Sequence, residues 1–229
     1  MLQIKPEVID LSGGRGEVPE NDGYEERGLI ISVDLGQMND WTAITVTERI
    51  MRPPPRCEAY SVKDMTKEFH LRHIERPPRG TAYPEIIERI AELRASRKLY
   101  GIPKTIVIDL TGVGRPVWDE MQKTFYRNMY AISITGGNVV TKPETGIFNV
   151  PKRDLITNLQ VGMQNGDYKI AKGIPLSDVL VKEMSNFRVK ITTSGHDQYE
   201  AWREGDHDDI VLSAAMGAWL AQQRIRMYS

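Results

Sequence analysis

The chain has 229 residues, of which 40% are hydrophobic and 27% charged, with a formal net charge of −1 and one cysteine, Cys57. These numbers fit one large α/β domain with a sizeable core, and they exclude an intrachain disulfide and a zinc site built on several thiolates. No apolar run approaches the roughly 20 residues of a membrane span, and the near-neutral charge argues against a surface coated with phosphate-binding cations, so any nucleic acid is gripped locally or by another domain.

Residues 1–27 carry Gly, Pro, Asn and Glu without an apolar period and read as a linker or flexible arm, leaving 28–229 as the domain. The apolar run GLIISVDL (28–35) predicts a buried central strand. WTAITVTERI (41–50) alternates and is rich in Thr, Ile and Val, which predicts a second strand. After PPPR, residues 57–65 read as a weaker third, and the short connections make the three antiparallel. The period then changes. Ile86, Ile87, Ile90, Leu93 and Arg97 share one helical face after Pro84, and Gly101 and Pro103 end that helix. KTIVIDL (104–110) is a fourth strand, Val117, Met121 and Phe125 mark a second helix, and residues 130–135 form a fifth strand. GGNVVTKPETGIFNV (136–150) reads as an inserted β-hairpin. A helix from about Pro151, a short strand at 168–170, a helix from about Leu176, a strand pair at 188–193 and 198–202 and a last helix over about 208–226 complete the chain. The order β-β-β-α-β-α-β, insertion, α predicts a mixed five-stranded sheet flanked by helices, with the hairpin and the small strand pair as additions.

Acidic residues fall at telling places in that order. Asp34 follows LIISV in the first strand, Asp109 ends the fourth within VIDLTGVG, and Asp208 and Asp209 open the last helix within GDHDDIVLSAA. A carboxylate in an apolar strand is expensive to bury unless a cation or hydrogen bonds compensate it. An oxygen-only ligand set suits Mg²⁺ or Mn²⁺. Two such ions would support phosphodiester hydrolysis, with Asp34 shared between them and Asp109 and the Asp208/Asp209 pair on the flanks. Each acid also has a plainer reading. Asp109 fits a turn, Asp208 fits an N-cap, and Asp209 fits the positive end of a helix dipole.

Four stretches together resemble a known family. VDLGQMNDWTA, VIDLTGVGRPVWDEM and GDHDDIVLSAAMGAWLA resemble the three nuclease motifs of tailed-phage terminase large subunits, and IFNVPKRDLITNLQVGMQNGDYKI resembles the stretch between the second and third. The similarity runs over about residues 28–222. It implies an RNase H-like fold and a metal-dependent endonuclease that cuts double-stranded DNA during phage genome packaging in the host cytoplasm, not a secreted protein. It implies metal ligation by Asp34, Asp109 and Asp208, with Asp209 close behind and Asp40 as an outer ligand or a turn cap. His207 would orient a carboxylate or act on the leaving group, or else cap a helix. Expected partners are the terminase ATPase domain, the small terminase subunit and the portal. The chain has no GxxxxGK[ST] loop, so ATP hydrolysis is not expected of it.

Candidate DNA contacts are Lys142 on the hairpin, Lys152 and Arg153 after it, Arg188 and Lys190 on the later strand, and Arg203. They would hold phosphates and so carry little sequence information. The hairpin is expected to gate access to the site. Rival readings are another RNase H-like enzyme of the resolvase or transposase type, an actin-like ATPase or sugar kinase suggested by VDLG, and a non-catalytic packaging module.

Overall fold

Three strands consecutive in the chain pair antiparallel: β2 (Glu26–Asp34) with β3 (Ala43–Arg52), and β3 with β4 (Thr66–Glu75). In this computed structural model the described residues are 8–9, 25–36, 40–54, 64–111, 114–126, 128–191, 197–201 and 207–223. Helix α1 (Tyr83–Ala95) leads to β5 (Lys104–Asp109), and α2 (Gly114–Phe125) leads to β6 (Met129–Thr135). Each helix is a crossover that returns the chain parallel to its sheet neighbour, β5 beside β2 and β6 beside β5.

The five central strands therefore stand in the order β4-β3-β2-β5-β6, as expected for an RNase H-like sheet, and four more extend it on both sides. The hairpin forms from β7 (Thr141–Glu144) and β8 (Ile147–Pro151), and β8 pairs in parallel with β6, so the hairpin is an extension of the main sheet at its edge. On the far side β9 (Tyr168–Ala171) joins β4, and the two-residue strand β1 (Val8–Ile9) joins β9, which ties part of the N-terminal stretch to the sheet. The remaining strands, β10 (Phe187–Ile191) and β11 (Asp197–Ala201), form the separate antiparallel pair read from the sequence.

The third strand is ten residues long and lies downstream of the expected 57–65, most of which falls outside the described residues. Its sequence, TKEFHLRHIE, hides it because six of its ten positions are charged or imidazole. Those groups are matched across the sheet. Arg72 Nε donates to Glu48 at 2.6 Å, and Arg52 pairs with Glu68 at 3.0 Å. Phe69, Leu71 and Ile74 supply the buried apolar contribution. Cross-strand charge pairs make a polar strand tolerable where composition alone argues against one.

Strand alternation decides which residues face which layer. Leu29, Ile31 and Val33 of β2 pack with Ile106 and Ile108 of β5 against Ile86, Ile90, Trp118 and Met121 of α1 and α2. Ile30 and Val107 point the other way, into a core shared with α3 (Lys152–Asn165), α4 (Ser177–Asn186) and α5 (Asp209–Gln222). By the same period Asp34 and Asp109 belong to the α5 side.

Helix α5 is buried all round from Asp209 to Ala221. It lies close on the sheet because its facing residues are small. Ser213 Oγ donates to the Ser32 carbonyl at 2.9 Å and lies 3.0 Å from Thr45 Oγ1. A Cβ added at Gly217 would stand 2.5 Å from Ser32 Oγ and 3.3 Å from Thr47 Oγ1. Overpacking of this kind costs about 1–3 kcal/mol. Gly217→Ala is therefore expected to lower the melting temperature by about 2–4 °C per kcal/mol. Ser32 Oγ is buried with no hydrogen-bond partner among the described residues, so Ser32→Ala is expected to be tolerated and to recover much of that loss in the double variant. Additive losses in a thermal double-mutant cycle would show that this contact does not set the helix height.

Candidate functional site

The parallel register of β2 and β5 pairs Val33 with Ile108, so one step further along both strands Asp34 and Asp109 are neighbours on the same face. Both are mostly buried, 9% and 7% exposed. The α5 helix begins above them and contributes Asp208 and Asp209. A cleft of about 280 Å³ opens here, lined by Asp34, Gly36, Asp40, Thr111, His207, Asp208 and Asp209 among others. Residues separated by up to 175 positions in sequence thus meet at one end of two strands and one helix.

Their electrostatics are those of crowded carboxylates. Burial pushes the Asp34 carboxyl well above its ordinary value, and the charges of Asp109, Asp209 and Asp208 push it further, with Lys152 partly offsetting them. Asp109 is pushed up to about 6 by burial, although Thr111 N–H donates to its Oδ1 at 2.7 Å. Asp209 is also raised to about 6 by burial, against the pull of Arg76. Lys152 Nζ donates to Asp208 Oδ2 at 2.7 Å. Among the described residues no three His, Cys, Asp or Glu side chains are drawn into ligand geometry; Asp208 and Asp209, which line the cleft, are bonded to Lys152 and Arg76.

The plainer readings can now be compared with the geometry. Asp208 occupies the N-cap position of α5 but makes no side-chain cap bond. The cap comes from another helix: Glu183 Oε2 of α4 accepts from Val211 N–H at 3.1 Å. That frees Asp208 for the cleft. Glu183 is itself raised to about 7 by burial, and Arg76 Nη2 bridges it, at 2.6 Å, to Asp209, at 3.2 Å. Asp109 does make the turn bond to Thr111, yet remains buried and raised beside Asp34, so for this residue the turn geometry and a place next to the acids coexist.

Sequence reading missed Glu183, Arg76 and Trp41. Glu183 carried a signal: it falls three residues after Leu180 and beside Met184, on the apolar face of its helix. Arg76 and Trp41 lie beside turns, where no periodicity marks them. The Arg76 guanidinium lies over the Trp41 ring, 5.5 Å from its centroid.

The expected cations are divided among different settings. Lys152 is bonded to Asp208, which lines the cleft. Arg153 pairs with its neighbour Asp154 at 3.5 Å. Lys142, exposed on the hairpin, holds its ammonium 5.2 Å from the Phe148 ring centroid. Arg188 and Lys190 lie on β10, paired in register with Glu200 and Gln198. Arg203 and Cys57 lie outside the described residues. His207 and Asp40 both line the cleft, with His207 Nδ1 3.9 Å from Asp209 Oδ2.

A mixed sheet of this order thus carries two strand-end carboxylates beneath the two carboxylates that open α5. A scan against protein-family models finds no match. In sequence the chain is 29% identical over 129 residues to the terminase large subunits of Thermus phage G20c and Thermus virus P23-45, a match that takes in 56% of this chain. It spans 23% of the length of each of those relatives. The fold is that of large terminase nuclease domains: the chain superposes on the nuclease from thermophilic phage G20c with a TM-score of 0.53 at 21% identity, over 83% of this chain and 81% of that one. The magnesium-bound form of that nuclease matches with a TM-score of 0.53 at 23% identity, over 84% and 81%.

Proposed function

We propose that this chain is a metal-dependent endonuclease that cuts double-stranded DNA with little sequence preference during phage genome packaging. The observation that carries the reading is the adjacency of Asp34 and Asp109 on parallel strands beneath Asp208 and Asp209. Burial raises Asp34, Asp109 and Asp209 above their ordinary values, and a bound cation would favour their ionised forms. Carboxylate oxygens are the donors that a hard divalent ion such as Mg²⁺ or Mn²⁺ prefers, and among the described residues the cleft lining adds one imidazole, His207, and no thiolate. The magnesium in the related nuclease supports the same donor chemistry.

Asp34, innermost of the set, would hold the position shared between two ions, with Asp109 on one flank and Asp208 and Asp209 on the other. Such ions, when bound, lower the pKa of the attacking water and offset the charge that builds on the phosphate. Glu183 and Arg76 hold the start of α5, and so Asp209, in place. Lys152 keeps positive charge beside the scissile phosphate and offsets the acids when no ion is present. The terminase ATPase domain, the small subunit and the portal are the proposed partners, and the host cytoplasm the proposed place of action. No helix among the described residues is long and apolar enough to cross a membrane.

The deciding assay is cleavage of supercoiled plasmid in Mg²⁺ or Mn²⁺, with and without chelator. Nicked and then linear DNA, cut at many positions and only with metal, is expected. Failure to cut in either metal overturns the reading, and a strict preference for branched DNA would transfer it to the resolvase type.

Metal binding and pH are linked here in a calculable direction. Asp34, Asp109, Asp209 and Glu183 all have folded-state values above their ordinary ones, so the folded protein holds more protons than the unfolded chain between about pH 4 and 7. Stability of the metal-free protein is therefore fully present below pH 4 as far as these groups decide it, and is lost as pH rises through 6 to 7. Thermal melts should show the metal-free protein more stable at pH 5.5 than at pH 8, and Mn²⁺ should raise the melting temperature much more at pH 8. Equal metal shifts at both values would separate these acids from the metal.

A further inference from the structure

The loop between β4 and α1, residues 76–82, carries two arginines in different settings. Arg76 is engaged by Glu183 and Asp209 and is largely buried. Arg79 is exposed. Its guanidinium lies over the Trp41 ring, 4.6 Å from the centroid, and its Nη2 donates to His207 Nε2 at 2.9 Å.

Neither neighbour cancels the charge of Arg79. An aromatic face orients a guanidinium and leaves its charge in place. A histidine carries no negative charge that could offset the guanidinium. Among the described residues no carboxylate forms an ion pair with Arg79. The result is a planar cation, fixed on two sides, with N–H donors to spare, at the edge of a cleft lined by acids.

A phosphodiester approaching that cleft meets the repulsion of Asp34, Asp40, Asp208 and Asp209. A fixed guanidinium on the rim lowers that barrier, and its fork matches two phosphate oxygens. We propose that Arg79 is a substrate-binding residue that clamps a backbone phosphate of the DNA strand at the cleft, with Trp41 and His207 as its positioning residues. The proposal rests on the nuclease reading above. It gives His207 the task of orienting the clamp, and it places substrate recognition on a loop outside the hairpin and the basic pair at α3.

The test compares wild type, Arg79→Ala and Arg79→Lys in three measurements. These are plasmid cleavage kinetics in Mn²⁺, binding of a short fluorescent duplex at several salt concentrations, and the Mn²⁺-dependent rise in melting temperature. Arg79→Ala is expected to raise KM about ten-fold, the size of one charge-assisted contact, with kcat little changed. Its slope of log affinity against log salt should fall by about one. Arg79→Lys should recover part of the KM loss, because the charge returns without the fork. The metal-dependent thermal shift should be unchanged in both variants. Wild-type KM and salt slope in Arg79→Ala would overturn the clamp. So would a loss confined to kcat together with a lost Mn²⁺ shift, since that pattern marks a disturbed fold. Wild-type protein that neither cuts nor binds duplex would overturn the nuclease reading, and the clamp with it, and is recognisable before any variant is made.

Discussion

Asp34→Asn is expected to abolish metal-supported cleavage, by about 10³-fold or more, while raising the thermal stability of the metal-free protein at pH 8. The two effects have one cause. Burial and the charges of Asp109, Asp209 and Asp208 hold the Asp34 carboxyl well above its ordinary value, so its ionised form destabilises the fold. Asparagine keeps the shape and removes that charge. The stability gain should shrink as pH falls and wild-type Asp34 takes up its proton, because the two proteins then become alike. A carboxylate serving as an ordinary turn or cap residue would behave in the opposite way, losing stability on substitution. Paired thermal melts and plasmid assays across pH separate the cases, and retained cleavage would remove Asp34 from the site.

Gly36→Ala is expected to be the most disruptive of the small substitutions. Gly36 opens the turn from β2 to β3, two residues after Asp34, and its N–H donates to Thr42 Oγ1 at 3.1 Å. A Cβ there would stand 2.5 Å from the Asp40 carbonyl oxygen, 2.5 Å from the Trp41 carbonyl carbon and 2.6 Å from its oxygen. These are backbone atoms, so no rotamer change relieves the clash; the start of β3 has to move. The cost belongs at the upper end of overpacking, about 3 kcal/mol, or about 6–12 °C in melting temperature for a chain of this size. Cleavage should fall further than the stability loss explains, measured well below the new melting point, because Asp34, Asp40 and Trp41 share that turn. An unchanged melting temperature would mean that the two backbone segments are not held this close.

The two substitutions also show where sequence reading stops. The G in VDLG was visible, but its reason, a carbonyl of a residue four positions on pressed against it, is a distance between segments. Similarly, HDDIVLSAAMGAWLA announced a buried helix of small residues, whereas the contact of Gly217 with Ser32 that sets its height belongs to the packed structure. β4 escaped notice in the sequence because its Glu, His, Arg and Lys positions suppress the apolar alternation, and the ion pairs to β3 that make them tolerable join residues more than ten positions apart. The hairpin was legible as a hairpin. Its pairing with β6 was not, because parallel pairing leaves no local mark.

The amino-acid sequence by itself determined most of the helices and strands, and which four aspartates to watch, since apolar period and isolated acids are local properties of the chain. Only the tertiary structure decided that Asp34 and Asp109 stand side by side, that Glu183 caps α5 in place of Asp208, and that Arg79 lies across Trp41 at the rim. Register, helix height and cross-helix capping are fixed by packing between segments distant in sequence, where each choice depends on all the others being made at once.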